Sequence, residues 1–382
     1  TIDTSVEEAK QLVRDEREEK FKWYKSRWDT LNYAVIKHFR PDNIMELIGS
    51  SGSGKSFFLN MLKTDFTDYE PMIIPKSKYS SKLIERMLRY SEFVEVGENL
   101  VRPPINAEVS KKCLFAHFSL EMRGRDEILR TVSSIAGYDY SYLISSKGQR
   151  SDDGKFTYKK LEQEEMKFVF DVQDQYKRTR LPYLAIYEQF PTIPQLIITC
   201  RSVANYAHKN NLELIIGIDH SLLIRKSTEK DDQELHDEFA KALIEIKKDT
   251  RALVIPLIQM NSNIEGDNRK VNPTLHYPTK KDIYRGGQLF QAADHIFMMF
   301  NPASIHLEAY GPLGIPTNNL VHMSKIKGRF AGSGQVWLHT DFEHGSIRTI
   351  KMELNKKGKF KSGYIEPTLI KEHHPEFNTT FP

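Results

Sequence analysis

The chain has 382 residues, 39% of them apolar and 28% charged, which is enough for a substantial core. Its formal net charge of +4 excludes a global basic field, so nucleic-acid affinity has to come from local clusters. Cys113 and Cys200 are too few for a disulfide framework or a cysteine-rich zinc site, and no apolar run reaches the ~20 residues that span a bilayer. A cytoplasmic protein with no membrane partner is expected.

Residues 1–40 read as an N-terminal linker helix region. Ser5-Val6-Glu7-Glu8 is a capping-box start, and the run from Arg14 to Lys20 is charged on every face. Such a helix bridges solvent or docks on a partner. Trp23, Trp28, Leu31 and Tyr33 supply apolar surface for docking or for packing on their own domain. Thr1 in place of Met leads us to expect a trimmed start.

The next element is the most specific. Asn43–Ile48 reads as a short buried strand, and Phe57–Leu62 as a helix. Between them Gly49, Ser50, Ser51, Gly52, Ser53, Gly54, Lys55 and Ser56 match G-x-x-x-x-G-K-[ST] without a mismatch. Glycines let backbone N–H groups turn around a polyphosphate, and the helix N-terminus adds partial positive charge. Lys55 would reach the phosphates and Ser56 would hold Mg²⁺, so the chain is expected to bind a nucleoside triphosphate.

Apolar runs then alternate with helical patterns: Cys113–Leu120, Tyr183–Tyr187, Leu212–Ile218, Leu253–Ile258, His295–Phe300 and Asn319–Ser324. This predicts an α/β fold with a mostly parallel central sheet, its ligand groups at the C-terminal strand ends. Ser145–Lys160 reads as a surface loop. Gln335–Asp341 and Ser346–Leu354 read as antiparallel edge strands, and 355–382 as a loosely ordered tail after a domain spanning 41–354.

Three strand ends carry candidate chemistry. Asp219 closes an apolar strand, where an unpaired carboxylate is costly, and suits a metal-bound acid; helix capping is its plainer role. His220 follows where many ATPases place a glutamate, so the base must come from elsewhere. Glu121, ending Phe118-Ser119-Leu120-Glu121-Met122, is the candidate, against the alternative of a first-turn helix acid. Gln259 is placed to sense the terminal phosphate, or is a satisfied strand-end amide.

FSLEM, Asp219, Gln259, Asp282–Gly287 and Gln291–Asp294 follow one another in an order and spacing that resemble the DnaB-type replicative helicases, a branch of the RecA-like ATPases. Lys327–Val336 resembles that family's K-x-R-N-G-x-x-G-x-V segment, with Phe330 and Ala331 replacing Asn and Gly. The resemblance covers roughly residues 41–350. It implies a RecA-like P-loop NTPase core that uses ATP and Mg²⁺, with Glu121 as general base. Lys327 and Arg329 would reach the neighbouring subunit's ATP in a hexameric homo-oligomer; on their own they read as a solvated basic strand end. It further implies 5′–3′ movement on single-stranded DNA, and a primase or loader as partner. Arg269, Lys270, Lys280, Lys281, Arg285 and Gly286 fall where the family holds its DNA-tracking loop, and a plain solvated loop is the alternative. Leu222, Ser262, Tyr284 and Arg285 depart from the family pattern, which touches DNA contact more than ATP chemistry. The family's N-terminal helical domain or fused primase has no counterpart, so a motor portion or a compact phage-like version is expected. A RecA-like recombinase, a packaging ATPase, and a helicase-loading or scaffold protein are the competing readings.

Overall fold

A computed structural model describes residues 2–18, 22–32, 39–144, 147–150, 156–189, 191–220, 224, 232–284, 287–328, 333–341, 343–371 and 379–381. Its centre is an 11-stranded sheet. In chain order the strands are β1 (Asn43–Gly49), β2 (Cys113–Ser119), β3 (Leu184–Tyr187), β4 (Glu213–Asp219), β5 (Leu253–Gln259) and β6 (His295–Phe300), then β7 (Leu320–Gly328), β8 (Gly334–Asp341), β9 (Ser346–Leu354), β10 (Phe360–Ile365) and β11 (Thr379–Phe381). Across the sheet they lie β11-β10-β9-β8-β7-β6-β1-β5-β4-β2-β3.

From β6 to β3 every pairing is parallel. From β6 to β11 every pairing is antiparallel. The parallel strands are continuous apolar runs because helices cover both faces. One face packs Ile44, Ile48, Ile216 and Val254 on the helices Ile193–Lys209 and Asp232–Thr250. The other packs Met45, Leu47, Phe115 and Ile255 on α2 (Lys55–Phe66), the helix leaving the P-loop. Gly217 is needed here, since a Cβ would stand 2.9 Å from the Phe115 ring. A third cluster joins α3 (Ser81–Tyr90), α4 (Gly124–Ala136) and the helix Gln163–Thr179 to a small three-stranded sheet. Buried ion pairs tie it to the end of α2: Arg27 holds Asp65 and Glu92, Arg102 holds Glu92 and Asp68, and Arg180 holds Asp68.

Several expectations need correction. The run Asn319–Ser324 belongs to β7, which is antiparallel to β6. Ser145–Lys160 contains a hairpin, Lys147–Arg150 against Phe156–Lys159. Residues 356–371 and 379–381 are no loose tail. β10 pairs with β9 and β11 with β10, and Ile370 and Lys371 are buried, because the alternating apolar residues of Phe360–Ile365 have a sheet edge to complete.

α1 (Ile2–Arg17) is the expected polar helix. Trp28 and Leu31 pack on their own domain: Trp28 stacks on Phe58 of α2 at 4.7 Å and donates its indole N–H to the Ile347 carbonyl at 2.8 Å. Tyr33, Leu222, Arg285, Gly286 and Arg329 lie outside the described residues. Among the described residues no helix is long and apolar enough to cross a membrane.

Candidate functional site

β1 ends at Gly49 and α2 begins at Lys55, so the glycine-rich turn is held between a buried strand and a buried helix. Gly54 adopts φ 86° at the helix N-cap, a left-handed conformation that favours glycine. At Gly49 a Cβ would meet Ser53 Oγ at 2.4 Å and the Met299 carbonyl at 2.7 Å, so only glycine fits. Lys55 Nζ donates to the Gly49 and Ser50 carbonyls at 2.7 and 2.8 Å and lies 3.5 Å from Gln259 Oε1. Its burial pulls the ammonium down to about 8, against the opposing pull of Asp219 and Glu121. The Ser50 and Ser53 hydroxyls are buried without a hydrogen-bond partner. A turn with a buried cation, spare hydroxyls and a helix N-terminus suits a polyphosphate.

The loop floors a cleft of about 530 Å³ that Glu121, Asp219, His220 and Gln259 also line. The parallel register explains the convergence. Ser119 faces Asp219 across β2 and β4, Gly49 faces Gln259 across β1 and β5, and Leu120 N donates to the Asp219 carbonyl at 2.9 Å. Burial raises the Asp219 carboxyl to about 6; its Ser56 hydrogen bond and Lys55 pull it down, while Glu127 and Glu121 push it up. Asp219 Oδ1 is buried with no hydrogen-bond partner. A Ser hydroxyl beside an unsatisfied carboxylate oxygen is a donor set that fits a hard cation such as Mg²⁺. Glu121 is exposed, open to the water of the cleft.

The Gln259 main chain links the cleft to the segment that follows. Tyr284 N donates to the Gln259 carbonyl, Met260 N donates to the Gly49 carbonyl, and Asn261 N donates to the Asp282 carbonyl. Both ends of the Asn261–Tyr284 excursion are thus fastened to one strand end. Within it Arg269 pairs with Asp282 at 2.9 Å and is half-buried, so its charge is committed to the loop's own fold. Lys270, Lys280 and Lys281 are exposed; Lys280 Nζ stands 4.1 Å from the Phe290 ring centroid.

Lys327 does not line this chain's own cleft. Its ammonium caps the helix Gly287–Ala292, donating to the Phe290 and Gln291 carbonyls at 2.6 and 3.2 Å. It also faces Glu46, a fully buried carboxyl on β1 that burial raises well above its ordinary value.

Two features escaped sequence reasoning. Arg130 of α4 lines the cleft together with Tyr138 and Tyr140. Beneath Asp219 lies a buried trio in which Lys63 pairs with Glu127 at 3.0 Å and stands 3.3 Å from His117 Nδ1. Burial pushes the His117 imidazole down to about 3, with Lys63 adding to the effect. His117, Glu127 and Asp219 bring ligand atoms within 4.8 Å of one another, yet the Lys63 ammonium already supplies the positive charge there.

Comparison with known proteins agrees with this geometry. No curated protein matches the chain. Among solved structures it is similar to one described as an ATPase domain, with 16% identity, a TM-score of 0.62, and 90% of this chain and 97% of that chain covered. It is also similar to "The Structure Of A DnaB-Like Replicative Helicase And Its Interactions With Primase", with 16% identity, a TM-score of 0.60, and 89% and 65% covered. At that identity the likeness speaks for a shared RecA-like fold. Residues 26–325 match the family model of the DnaB-like helicase C terminal domain, and the chain belongs to that family.

Proposed function

We propose that this chain is the motor domain of a replicative DNA helicase, forming a ring and moving 5′ to 3′ on single-stranded DNA through ATP hydrolysis. The observation that carries the reading is the Gln259 strand end, where one residue faces the P-loop lysine and anchors the Asn261–Tyr284 excursion. Chemistry and loop position then share one joint.

The P-loop amides and Lys55 bind the triphosphate, which replaces the loop carbonyls as partner of the ammonium. Ser56 and Asp219 would hold Mg²⁺, which would neutralise charge on the phosphate oxygens. Glu121 orients the attacking water and accepts its proton. Gln259 contacts the terminal phosphate, and Arg130, which also lines the cleft, adds positive charge. Lys327 and Arg329 act on the neighbouring subunit's ATP; arginines supplied in trans are worth about 10³–10⁵ in rate. Lys270, Lys280, Lys281, Arg285 and Gly286 contact the DNA backbone, while Arg269 braces the loop. Helix α1 supplies the arm that reaches an adjacent subunit, and the sheet from β1 to β11 with its helices is the motor. A cytoplasmic setting and a primase or loader as partner complete the proposal.

Strand-displacement assays test it. The protein should unwind a duplex bearing a 5′ single-stranded tail and leave a 3′-tailed one intact. Strand exchange on filaments would establish a recombinase instead, and absence of DNA-stimulated ATPase would establish a scaffold. Mixing Lys55→Ala with Arg329→Ala subunits should restore part of the activity, since some interfaces combine an intact P-loop with an intact finger.

A further inference from the structure

The turn that carries Glu121 is short: β2 ends at Ser119 and α4 begins at Gly124. A misplacement of about 1 Å in a group that orients a reactant costs about 10² in rate, so the ties on this turn bear on turnover. Two of them lie at its entry and middle. Leu120 N donates to the Asp219 carbonyl at 2.9 Å, and Ser119 Oγ donates to the Met122 carbonyl at 2.9 Å. Neither reaches the first turn of α4.

The exit is fastened from another strand. The first N–H groups of a helix have no partner within it, and a buried one needs an acceptor. Gly124 is buried at the first position of α4, and its N-cap residue, Arg123, supplies no side-chain acceptor. Glu188 supplies one instead: its Oε1 accepts from Gly124 N at 2.7 Å, from 64 residues further along the chain. Glu188 directly follows β3, whose parallel pairing with β2 sets Tyr187 opposite Phe118, the two rings stacked at 4.8 Å and 19°. The carboxylate thus leaves a strand end that packing holds in place. A Cβ on Gly124 would stand 2.7 Å from Glu188 Oε1 and 3.3 Å from Ile186 Cγ2, so the glycine is what admits the carboxylate.

We propose that Glu188 is a positioning residue for ATP hydrolysis: by gripping the Gly124 amide it sets the turn, and with it the place of Glu121 in the cleft. That role rests on Glu121 being the base. Glu188 itself does not line the cleft, so it acts through Glu121 and not on the nucleotide. A carboxylate at a helix N-terminus also favours the helix electrostatically. Were that its whole effect, removing it would lower the melting temperature and leave turnover intact.

The test measures DNA-stimulated ATPase and melting temperature in the full chain. Glu188→Ala should lower kcat about tenfold and keep KM for MgATP within about twofold, because Lys55, Ser56 and Asp219 stay where they are. Glu188→Gln keeps an acceptor oxygen at the same reach and should restore most of kcat. Gly124→Ala crowds the carboxylate off its amide and should reproduce the loss, and combined with Glu188→Ala it should be no worse than either change alone. Against a Glu121→Gln background, Glu188→Ala should have no further effect. Glu121→Gln that leaves turnover intact overturns the base, and the role of Glu188 with it. Where Glu121→Gln abolishes turnover, Glu188 alone is overturned by any of three results: kcat unchanged in Glu188→Ala, KM raised at constant kcat, or a loss in Glu188→Gln as deep as in Glu188→Ala.

Discussion

In the parallel half of the sheet, neighbouring strands deliver their last residues to one edge, so Gly49, Ser119, Asp219 and Gln259 arrive together from positions far apart in sequence. In the antiparallel half each hairpin carries the chain back, and consecutive strand ends alternate between edges. Its side chains alternate too: β8 is buried at every second residue, whereas β1 and β2 are buried throughout. Parallel geometry concentrates polar chemistry at a single crevice. The antiparallel half widens the sheet and holds Lys327.

This contrast is open to experiment. The largest effect should come from Glu121→Gln, which removes the carboxylate proposed as base and leaves an exposed position otherwise intact. DNA-stimulated turnover should fall by about 10²–10⁴ with the melting temperature unchanged. Turnover that survives would move the base elsewhere and break the picture of chemistry confined to parallel strand ends.

Next is the trio under Asp219. Lys63→Met leaves Glu127 as an uncompensated buried charge and should cost about 3–5 kcal/mol in denaturant unfolding. Adding Glu127→Leu should recover most of it. If the single and double variants unfold alike, the pair is not what stabilises this layer.

The antiparallel side has a pH signature of its own. Burial lowers the Lys371 ammonium to about 7. Between that value and the ordinary ~10.4, the unfolded chain binds more protons than the folded one. Stability should therefore rise with pH across this window, by at most about 1.4 kcal/mol per unit, and Lys371→Met should flatten the slope. An unchanged slope would mean that Lys371 is not buried in solution as described.

The smallest effect concerns the loop anchored at Gln259. Lys281→Ala should weaken single-stranded DNA binding a few-fold and reduce the salt slope by about 0.7, measured by fluorescence anisotropy. An unaltered slope would remove Lys281 from the contact and narrow the interface.

Much of the parallel half was legible because each of its strands is an unbroken apolar run that stops at a polar residue. Phe118 to Glu121 and Ile215 to Asp219 show that pattern. The antiparallel half was harder. Phe360-Lys361-Ser362-Gly363-Tyr364-Ile365 mixes lysine, serine and glycine into a strand with a solvent-facing side, so it resembles a tail until the edge it completes is known. Arg130 was missed because an arginine in mid-helix looks like a solvated face. Lys63, His117 and Glu127 were missed because no period connects them, and only the packing of α2 against β2 and α4 brings them together.

Trp28 has one more consequence. Its ring lies flat against Phe58 in α2, its N–H is tied to Ile347 in β9, and the next residue back, Arg27, accepts from Leu369 N while its guanidinium grips Asp65. Residues 22–32 are therefore a strap buckled beneath α2, the helix leaving the P-loop. Replacing Trp28 therefore loosens the helix leaving the P-loop and the antiparallel strand β9 together, since one ring packs on the first and bonds the second.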